Sequence, residues 1–544
     1  MVELDRFEGE FWLPEAPERK VHGDCIFKED GRIELRLRGT FENPFNGFML
    51  SGADSYDRIL GASSSRYITL EGCRNTNGTT TTIGGVRPEP FVRKVMSVQR
   101  AYDGIELTGD EETRFFKAAI QVENLQLISG LNGFQERHLL NEGKTGIQGF
   151  ELAVEVGTLG PEPFEHGTIA INDRYQLETP HPGERIVRQS HEIVLDFASP
   201  KTADDITQLA TYLRDVVALA TQRASGMISI HLFHEDAKTE SPNGDVHIPI
   251  RYRWRQMKTS VDIDRTLKGF DPLFTISDLG GVGGLGRLVS VLARNDFANA
   301  RIMSTIHQPP QFIEMKTMLR LFPLEAVFRE WPGSDPDQVK DYKRQLTFLI
   351  QQAGDPMRNL LDQWTESWAN AAKSARNLEG HSNPGKWGDQ HQNLNLHAHV
   401  ALWLYVMIML RQADAPEAAF TRLSRSSKYQ QHTHSLATIA WSTSHVEIDE
   451  ATFRRLQAGT ATVHVDRGRD EFQNLVAGDV ICFHHGDERV SARLTGEIGR
   501  YLPAKLNGVE AQQDLGASHA EALTLANQIN GARKLSVLPI RFLT

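Results

Sequence analysis

Apolar and polar positions alternate over short runs in the first half of the chain. Residues 32–38 (RIELRLR) and 192–197 (EIVLDF) are examples, and Gly, Pro, Asn and Asp separate such runs up to about Arg255. Alternation of this kind indicates half-buried strands. One helix interrupts them, because Thr202 to Arg223 begins at a Ser/Thr cap and carries apolar residues at helical spacing. This stretch is predicted to be mainly β.

The pattern changes to helical spacing from about Asp271 to Trp441. The clearest helices are predicted over Glu314 to Trp331, Pro336 to Gln352, Pro356 to Glu379 and Leu394 to Arg411. From about Glu447 short strands return, with one helix from Ser518 to Ile529 and a last strand from Leu535 to Phe542. A small β-barrel accounts for the length and pattern of this last stretch.

The predicted fold class is therefore multidomain α+β. It has an N-terminal β-rich domain over residues 1–260, a central all-α helical bundle over residues 270–442 and a small C-terminal β-barrel over residues 447–544.

Composition and charge narrow the class of protein. Apolar residues make up 40% of the chain and charged residues 24%, as in folded soluble proteins. The acidic first residues differ from a secretion signal, and the longest apolar run, Val400 to Leu410, is shorter than the roughly 20 residues that span a bilayer. Cys25, Cys73 and Cys482 lie far apart, which argues against a disulfide framework. We expect a cytoplasmic protein without a membrane partner.

The net charge of −11 gives no general attraction to nucleic acid. Any binding of RNA must then come from a local basic surface.

The candidate chemistry lies in residues 376–381, RNLEGH. The helix before this motif is predicted to begin at Asp355 and to stop at Gly380, which puts Arg376 in its last turn. On a continuous helix Arg376 and His381 would be rotated by about 140° from each other. A stop at Gly380 lets His381 fold back toward Arg376, so the two side chains can form one site.

These residue types fit RNA cleavage without a metal. The reaction needs a base for the ribose 2′-OH, an acid for the leaving 5′-oxygen and a cation for the phosphorane. His381 can serve as base or acid, and Arg376 can bind phosphate oxygens. Asn377 can orient the histidine or the phosphate with its amide. One His and one Arg are too few, so this hypothesis requires a homodimer or a higher even oligomer. The competing interpretation is that Arg376 and His381 only stabilise the helix, through favourable interaction with the negative C-terminal end of its dipole.

The chain resembles the ApeA-type anti-phage proteins, which belong to the HEPN group of helical ribonucleases. The resemblance rests on GEFWLPEAPERKVHGDCIF, IELRLRGTF, YDRILG, YITLEGC, HEIVLDFASPKTADDITQLATYLRDVVALATQ and SARNLEGHSNP, in this order along the first 440 residues. It implies a HEPN helical domain in which Arg376, Asn377 and His381 are catalytic. It also implies an intracellular RNA target, with transfer RNA as the substrate, and abortive infection set off by a phage-derived trigger.

Four further residues are candidates in the helical region. Glu325 falls where such proteins often carry an acidic residue near the site, although a solvated glutamate on a helix face is the more common explanation. Arg422, Arg425 and Lys428 recur at about one-turn spacing and can follow an RNA backbone, or they form an ordinary exposed face.

The C-terminal stretch resembles an ASCH domain, a PUA-like barrel associated with RNA or modified bases. The matching phrases are FRRLQAGTATVHV, LVAGDVICF, ARLTGEIGRYL and SVLPIRFL. Of the signature G-x-K-x-x-E-x-R only Gly459 is present, so a lysine nucleophile and its acid partner are missing. We therefore expect a binding or sensing role, with Arg467, Arg469 and Arg500 as ligand contacts, or a purely structural barrel.

Two other patterns resemble binding sites but lack part of the required residues or setting. Residues 281–286 spell GVGGLG but lack the β-α-β setting of a dinucleotide site, so a flexible loop is expected. The pairs His397/His399 and His432/His434 lack a nearby carboxylate that completes a metal site. The prediction is no metal and no cofactor.

The rival hypothesis is a non-catalytic protein that binds or senses nucleic acid or a modified nucleotide, with a helical domain that only dimerises. Catalysis requires His381 in a cleft against its symmetry mate, whereas a scaffold would bury or isolate it.

Overall fold

The computed structural model describes residues 3–28, 30–41, 55–81, 91–109, 113–140, 147–179, 181, 186–241, 244–255, 272–308, 312–361, 365–380, 391–438, 443–447, 463–466, 480–485, 488–494, 499–501 and 535–542. The chain divides into two compact units. The first unit comprises Met1–Ala293 and Gln412–Arg422, and the second comprises Arg294–Arg411 and Leu423–Thr544.

The first unit is built mainly of strands. They are β1 (Glu3–Leu13), β2 (Ala16–Lys28), β3 (Ile33–Leu37), β4 (Ser55–Ala62), β5 (Tyr67–Thr81), β6 (Phe91–Val98), β7 (Arg100–Asp103), β8 (Arg114–Val122), β9 (Phe134–Leu140), β10 (Ile147–Val154), β11 (Thr158–Phe164), β12 (Gly167–Glu178), β13 (Ile186–Thr202), β14 (Met227–Phe233), β15 (Lys238–Ser241), β16 (Gly244–His247) and β17 (Ile250–Trp254).

Thirteen of these strands form one sheet, in the order β11-β12-β13-β8-β14-β17-β7-β5-β4-β1-β2-β3-β6. The strands β5 and β6 also pair with each other, which closes β1 to β6 into a six-stranded barrel. In that pairing Arg74 of β5 lies opposite Ser97 of β6. The remaining strands form two separate hairpins, β9 with β10 and β15 with β16.

The barrel strands surround an apolar core. Their alternation places every second side chain on one face, and those side chains pack together in one buried cluster. Its members are Phe7, Phe11, Cys25, Phe27, Ile33, Leu35, Leu37, Phe41, Ile59, Ile68, Leu70, Cys73, Met96, Val98 and Ala101. Cys25 and Cys73 are both free thiols, and burial raises the pKa of each. These two cysteines therefore act as apolar core residues.

Three helices belong to the N-terminal part of the chain: α1 (Gln126–Ser129), α2 (Ala203–Thr221) and α3 (Val282–Arg294). Helix α2 contacts β8 and β13. It begins at Thr202, whose Oγ1 accepts a hydrogen bond from the Asp205 N–H at 3.1 Å, while the Asp205 carboxylate accepts one from the Thr202 N–H at 3.2 Å. This capping box confirms the helix start predicted at Thr202.

The glycine-rich residues 281–286 lead into α3. Gly281 has φ +92, and the Gly283 N–H donates to the Glu162 carboxylate at 2.9 Å. The predicted flexible loop is wrong, because a helix begins there and a carboxylate of the same unit accepts from its N-terminal amide.

Most helices follow later in the chain. They are α4 (Asp296–His307), α5 (Ile313–Leu321), α6 (Pro323–Arg329), α7 (Tyr342–Ala353), α8 (Asp355–Leu361), α9 (Thr365–Gly380), α10 (His391–Gln412), α11 (Glu417–Arg425) and α12 (Ser427–Thr438). Residues 362–364, between α8 and α9, lie outside the described residues.

Helix α10 supplies much of the core of the second unit. Its side chains are buried on all sides over most of its length, and they include Trp403, Tyr405 and Leu404. Among the described residues, this is the one helix long and apolar enough to cross a membrane, but 83% of its most apolar stretch is buried. Burial of that extent is typical of the core helix of a soluble protein.

The C-terminal strands are β18 (Thr443–Glu447), β19 (Val463–Asp466), β20 (Val480–His485), β21 (Glu488–Leu494), β22 (Gly499–Tyr501) and β23 (Leu535–Phe542). They form a sheet in the order β18-β20-β21-β23-β19, with β22 paired to β23. Within the described ranges no pairing joins β18 to β19, so this sheet is open.

The predicted fold class is wrong. The closed barrel lies at the N-terminus, in β1 to β6, whereas the described C-terminal strands form an open sheet. Helices gather from Val282 onward, as the periodicity indicates, but the described residues do not establish a HEPN bundle or an ASCH barrel. The error has a physical cause, because alternation reveals which face of a strand is buried and not which strands pair. The predicted domain boundaries stay predictions.

Candidate active site around Arg376

Arg376 of α9 contacts residues of α6 and α7 and the residue that precedes α6. The guanidinium Nη2 lies 2.5 Å from Oε2 of Glu325 on α6. The same group lies over two aromatic rings, 4.4 Å from the ring centre of Tyr342 on α7 and 5.2 Å from that of Phe322. A carboxylate and two ring faces thus hold the guanidinium in one place.

The sequence around α6 explains the position of Glu325. Pro323 begins α6, Phe322 precedes it at the N-cap position, and Glu325 lies in the first turn. One turn further, Arg329 Nη2 lies 2.8 Å from Oε1 of Glu325. One carboxylate therefore faces two guanidinium groups, which leaves a net positive charge at this place.

The start of α7 is joined to α9 by a second ion pair. Asp341 caps α7 by accepting from the Lys343 N–H at 2.9 Å, and Lys373 Nζ lies 3.1 Å and 3.3 Å from its two oxygens. Burial alone would raise the pKa of Asp341, but the bonds from Lys373 and Lys343 hold that pKa below its usual value. Asp341 is therefore ionised at neutral pH and ties the two helices together.

Tyr342 is a structural part of the site. Its hydroxyl donates to the Leu321 carbonyl at 2.6 Å, and burial raises the pKa of this phenol. The hydroxyl thus stays protonated, and the ring supplies a fixed face for the guanidinium of Arg376.

The structure brings together some of the predicted site residues. Arg376 and Glu325 form an ion pair, with 24% and 26% of their side chains exposed, and Asn377 is exposed on α9. Helix α9 runs from Thr365 to Gly380, the residue at which the sequence predicts a stop. His381 lies outside the described residues.

The basic residues predicted to contact RNA divide between the two units. Arg422 belongs to the first unit, where its Nε donates to the Pro272 carbonyl at 3.1 Å and lies 3.7 Å from Asp278. Arg425 and Lys428 are exposed in the second unit. An RNA contact by any of these three residues stays a prediction.

The predicted ligand contacts of the C-terminal stretch are placed only in part. Arg467 and Arg469 lie outside the described residues. The backbone of Arg500 pairs with that of Ser536 between β22 and β23. The structure does not describe the side chain of Arg500.

The structure also brings together histidines of α10 and α12. The ring centres of His399 and His432 are 4.2 Å apart, and Trp403 Nε1 donates to His432 Nδ1 at 2.9 Å. An indole N–H can only donate, so Nδ1 of His432 is the acceptor and neutral His432 carries its proton on Nε2. Burial, assisted by the charges of Lys316, Arg320 and Lys428, lowers the pKa of His432 to about 4.

The contact between these two histidines could not be predicted from their spacing in the sequence, because they belong to different helices. In this tautomer Nε2 of His432 carries a proton. A metal ion would need the lone pair of that nitrogen, because Nδ1 already accepts from Trp403. Among the described residues, no group of three or more His, Cys, Asp or Glu side chains is arranged to hold a metal ion.

The arrangement around Arg376 is suited to binding an anion. Glu325 and the two rings fix the guanidinium plane, and the partly exposed side chain keeps further N–H groups for an incoming acceptor. A guanidinium of fixed orientation binds two phosphate oxygens at little additional entropic cost.

A protein-family model described as ApeA N-terminal domain 1 matches residues 6–284. No curated protein and no solved structure matches the chain. The match begins within β1, includes β2 to β17 and ends within α3, so Arg376 lies outside it.

Proposed function

Since the chain belongs to the ApeA N-terminal domain 1 family, which indicates an anti-phage defence protein, we propose that it defends its cell by cleaving RNA. The proposed activity is that of a metal-independent endoribonuclease, and its substrate is transfer RNA. The resemblance of SARNLEGHSNP to the motif of the HEPN ribonucleases supports this proposal.

The observation that carries the proposal is the setting of Arg376. Its guanidinium is pre-ordered by Glu325, Tyr342 and Phe322, and it lies on α9, five residues before His381. Such a fixed cation stabilises the extra negative charge of a phosphorane because it does not need to reorganise during the reaction. Glu325 is shared with Arg329, so its single charge does not neutralise both guanidinium groups.

In the proposed reaction the ribose 2′-oxygen attacks the adjacent phosphorus while its proton passes to one histidine. The bond from phosphorus to the 5′-oxygen breaks, and a second histidine protonates that leaving oxygen. The products are a 2′,3′-cyclic phosphate and a free 5′-OH. Each chain offers one RNLEGH motif, so the second imidazole is proposed to come from His381 of a second copy of the chain in a homodimer or a higher even oligomer.

The test compares single substitutions in the full-length protein. Purified wild-type protein, His381→Ala and Arg376→Met are incubated with transfer RNA and excess EDTA, and the 3′ ends of the products are identified. We expect cyclic-phosphate ends from the wild type. His381→Ala removes the proton-transfer group and Arg376→Met the fixed cation, so each should lower the cleavage rate by roughly 10²-fold or more.

Arg358→Met is the matched control. Arg358 also lies in the second unit and pairs with a carboxylate, Asp355, but it belongs to α8 and contacts none of the residues around Arg376 described above. Its substitution should leave the cleavage rate unchanged. RNA binding by the wild type without cleavage would favour the rival binding protein over the nuclease. Equal cleavage by all four proteins would exclude His381 and Arg376 from the reaction.

A further inference from the structure

The first unit contains a cleft of about 590 Å³ that is separate from Arg376. Its walls come from the turn between β2 and β3, from β5, β6 and β7, from the first turns of α2 and from the end of β17. A volume of this size is within the range of roughly 300–1,000 Å³ that small-molecule sites occupy.

The charged residues of this cleft are unbalanced. Four arginines line it, against two aspartates. Arg32 Nε lies 2.7 Å from Asp30, and Arg100 Nη2 lies 2.6 Å from Asp204. Each aspartate is thus matched by one arginine.

The two remaining arginines are Arg74 and Arg255. Both are exposed, and within the described part of the chain neither has an ion-pair partner. The cleft therefore carries an excess of two positive charges. A phosphate monoester, which carries a charge of about −1.5 to −2 at neutral pH, matches this excess.

An aromatic surface completes the cleft. Trp254, half-buried at the end of β17, stacks on Tyr252 with their ring centres 5.9 Å apart and 23° between the planes. Both residues line the cleft together with Ser97 and Gln99. Stacking on an indole is worth about 1–3 kcal/mol for a nucleobase.

We propose that this cleft binds a nucleoside 5′-phosphate, with the phosphate on Arg74 and Arg255 and the base stacked on Trp254. The ligand is either a free mononucleotide or the 5′-phosphorylated end of an RNA, because both offer the same two groups. The site lies within the family-matched residues 6–284, and its existence does not depend on the nuclease proposal.

The first experiment titrates AMP, adenosine and inorganic phosphate into the full-length protein by calorimetry. We expect saturable binding of AMP at one site per chain, with an affinity at least about tenfold above that of adenosine or inorganic phosphate, because only AMP carries both groups. The affinity should fall as salt is added. Equal binding of adenosine and AMP overturns the proposal, and so does a lack of saturable binding by both AMP and the 5′-phosphorylated RNA trinucleotide of the third arm.

The second experiment tests the named residues. Arg74→Met, Arg255→Met and Trp254→Leu should each weaken AMP binding by about tenfold. The matched control is Arg19→Met, in the same unit, because Arg19 is 62% exposed and does not line the cleft. Thermal unfolding checks that each variant is folded. If both arginine variants bind AMP as tightly as Arg19→Met does, the site is not the cleft.

A third arm identifies the source of the nucleoside phosphate. A 5′-phosphorylated RNA trinucleotide that binds more tightly than AMP assigns the cleft to an RNA end. Weaker binding of the trinucleotide assigns it to a free nucleotide. Failure of both ligands to bind refutes the site, and the nuclease test with His381→Ala is unaffected by that result.

Discussion

At the scale of single residues, Glu325 contacts Arg376 and Arg329 with different carboxylate oxygens. Both ion pairs are partly open to solvent, and such pairs contribute only about 0–1 kcal/mol to the free energy of unfolding. We infer that Glu325 matters chiefly for the orientation of Arg376. It is therefore a positioning residue, and its substitution should affect the reaction more than the stability.

Glu325→Gln should lower the turnover number for RNA cleavage by about tenfold, which corresponds to about 1.4 kcal/mol of transition-state stabilisation. The neutral amide loses the ion pair with Arg376, while the melting temperature should stay nearly unchanged. Steady-state kinetics and thermal unfolding measure the two effects.

Glu366→Gln is the control for this substitution, because Glu366 on α9 also forms an ion pair with a residue of another helix, Lys343. Glu325→Asp keeps the charge and should recover part of the rate. A loss of stability in Glu325→Gln as large as its loss of activity would contradict the positioning role.

At the scale of elements, α2 illustrates how a local signal sets a helix boundary. Thr202 and Asp205 exchange hydrogen bonds at its first turn, and the helix buries residues such as Ile206, Leu213 and Val217 in the first unit. The cap satisfies two backbone N–H donors that would otherwise lack an intrahelical partner. The start of the helix can therefore be read from the sequence.

Thr202→Ala should lower the free energy of unfolding by about 1 kcal/mol, because the N-terminal N–H of Asp205 loses its acceptor. Urea unfolding of the full-length protein measures the change. Thr202→Ser retains the hydroxyl and should behave like the wild type. An equal loss in both variants would attribute the effect to the methyl group of Thr202 and not to the cap.

At the scale of the whole molecule, buried and half-buried histidines are held neutral in both units. Burial, with nearby positive charges, lowers the pKa of His231 in the first unit to about 4. Burial likewise lowers the pKa of His397 in the second unit to about 3 and that of His432 to about 4. The ordinary value is about 6.5.

The stability should therefore fall on acidification. As the pH decreases from about 6.5 toward about 4, the unfolded chain takes up protons on these histidines while the folded chain does not, so the free energy of unfolding decreases. Above about pH 6.5 these groups contribute no pH dependence. Urea midpoints between pH 7.5 and pH 5 measure the slope.

His432→Gln serves as the comparison, because the amide oxygen can still accept from Trp403 and the titrating group is gone. Its slope should be shallower than that of the wild type. A midpoint that is flat for the wild type over the same pH range would show that the folded protein protonates these imidazoles.

Local features of the chain were readable from the sequence alone. The cap at Thr202 follows from a few neighbouring residues, and so does the place of Arg376 near the described end of α9. Short strands before residue 255 and helices after it follow in the same way, because backbone propensity and the period of apolar positions act over one or two turns.

Contacts between distant segments required the tertiary structure. The pairing of β5 with β6 closes the barrel at the N-terminus, against the predicted arrangement. Arg376 meets Glu325 across 51 residues, and Arg74 and Arg255 reach one cleft from different strands. A periodic pattern shows that one face of an element is buried. Which element covers that face depends on packing and strand register over the whole chain, and sequences with the same local pattern can differ in both.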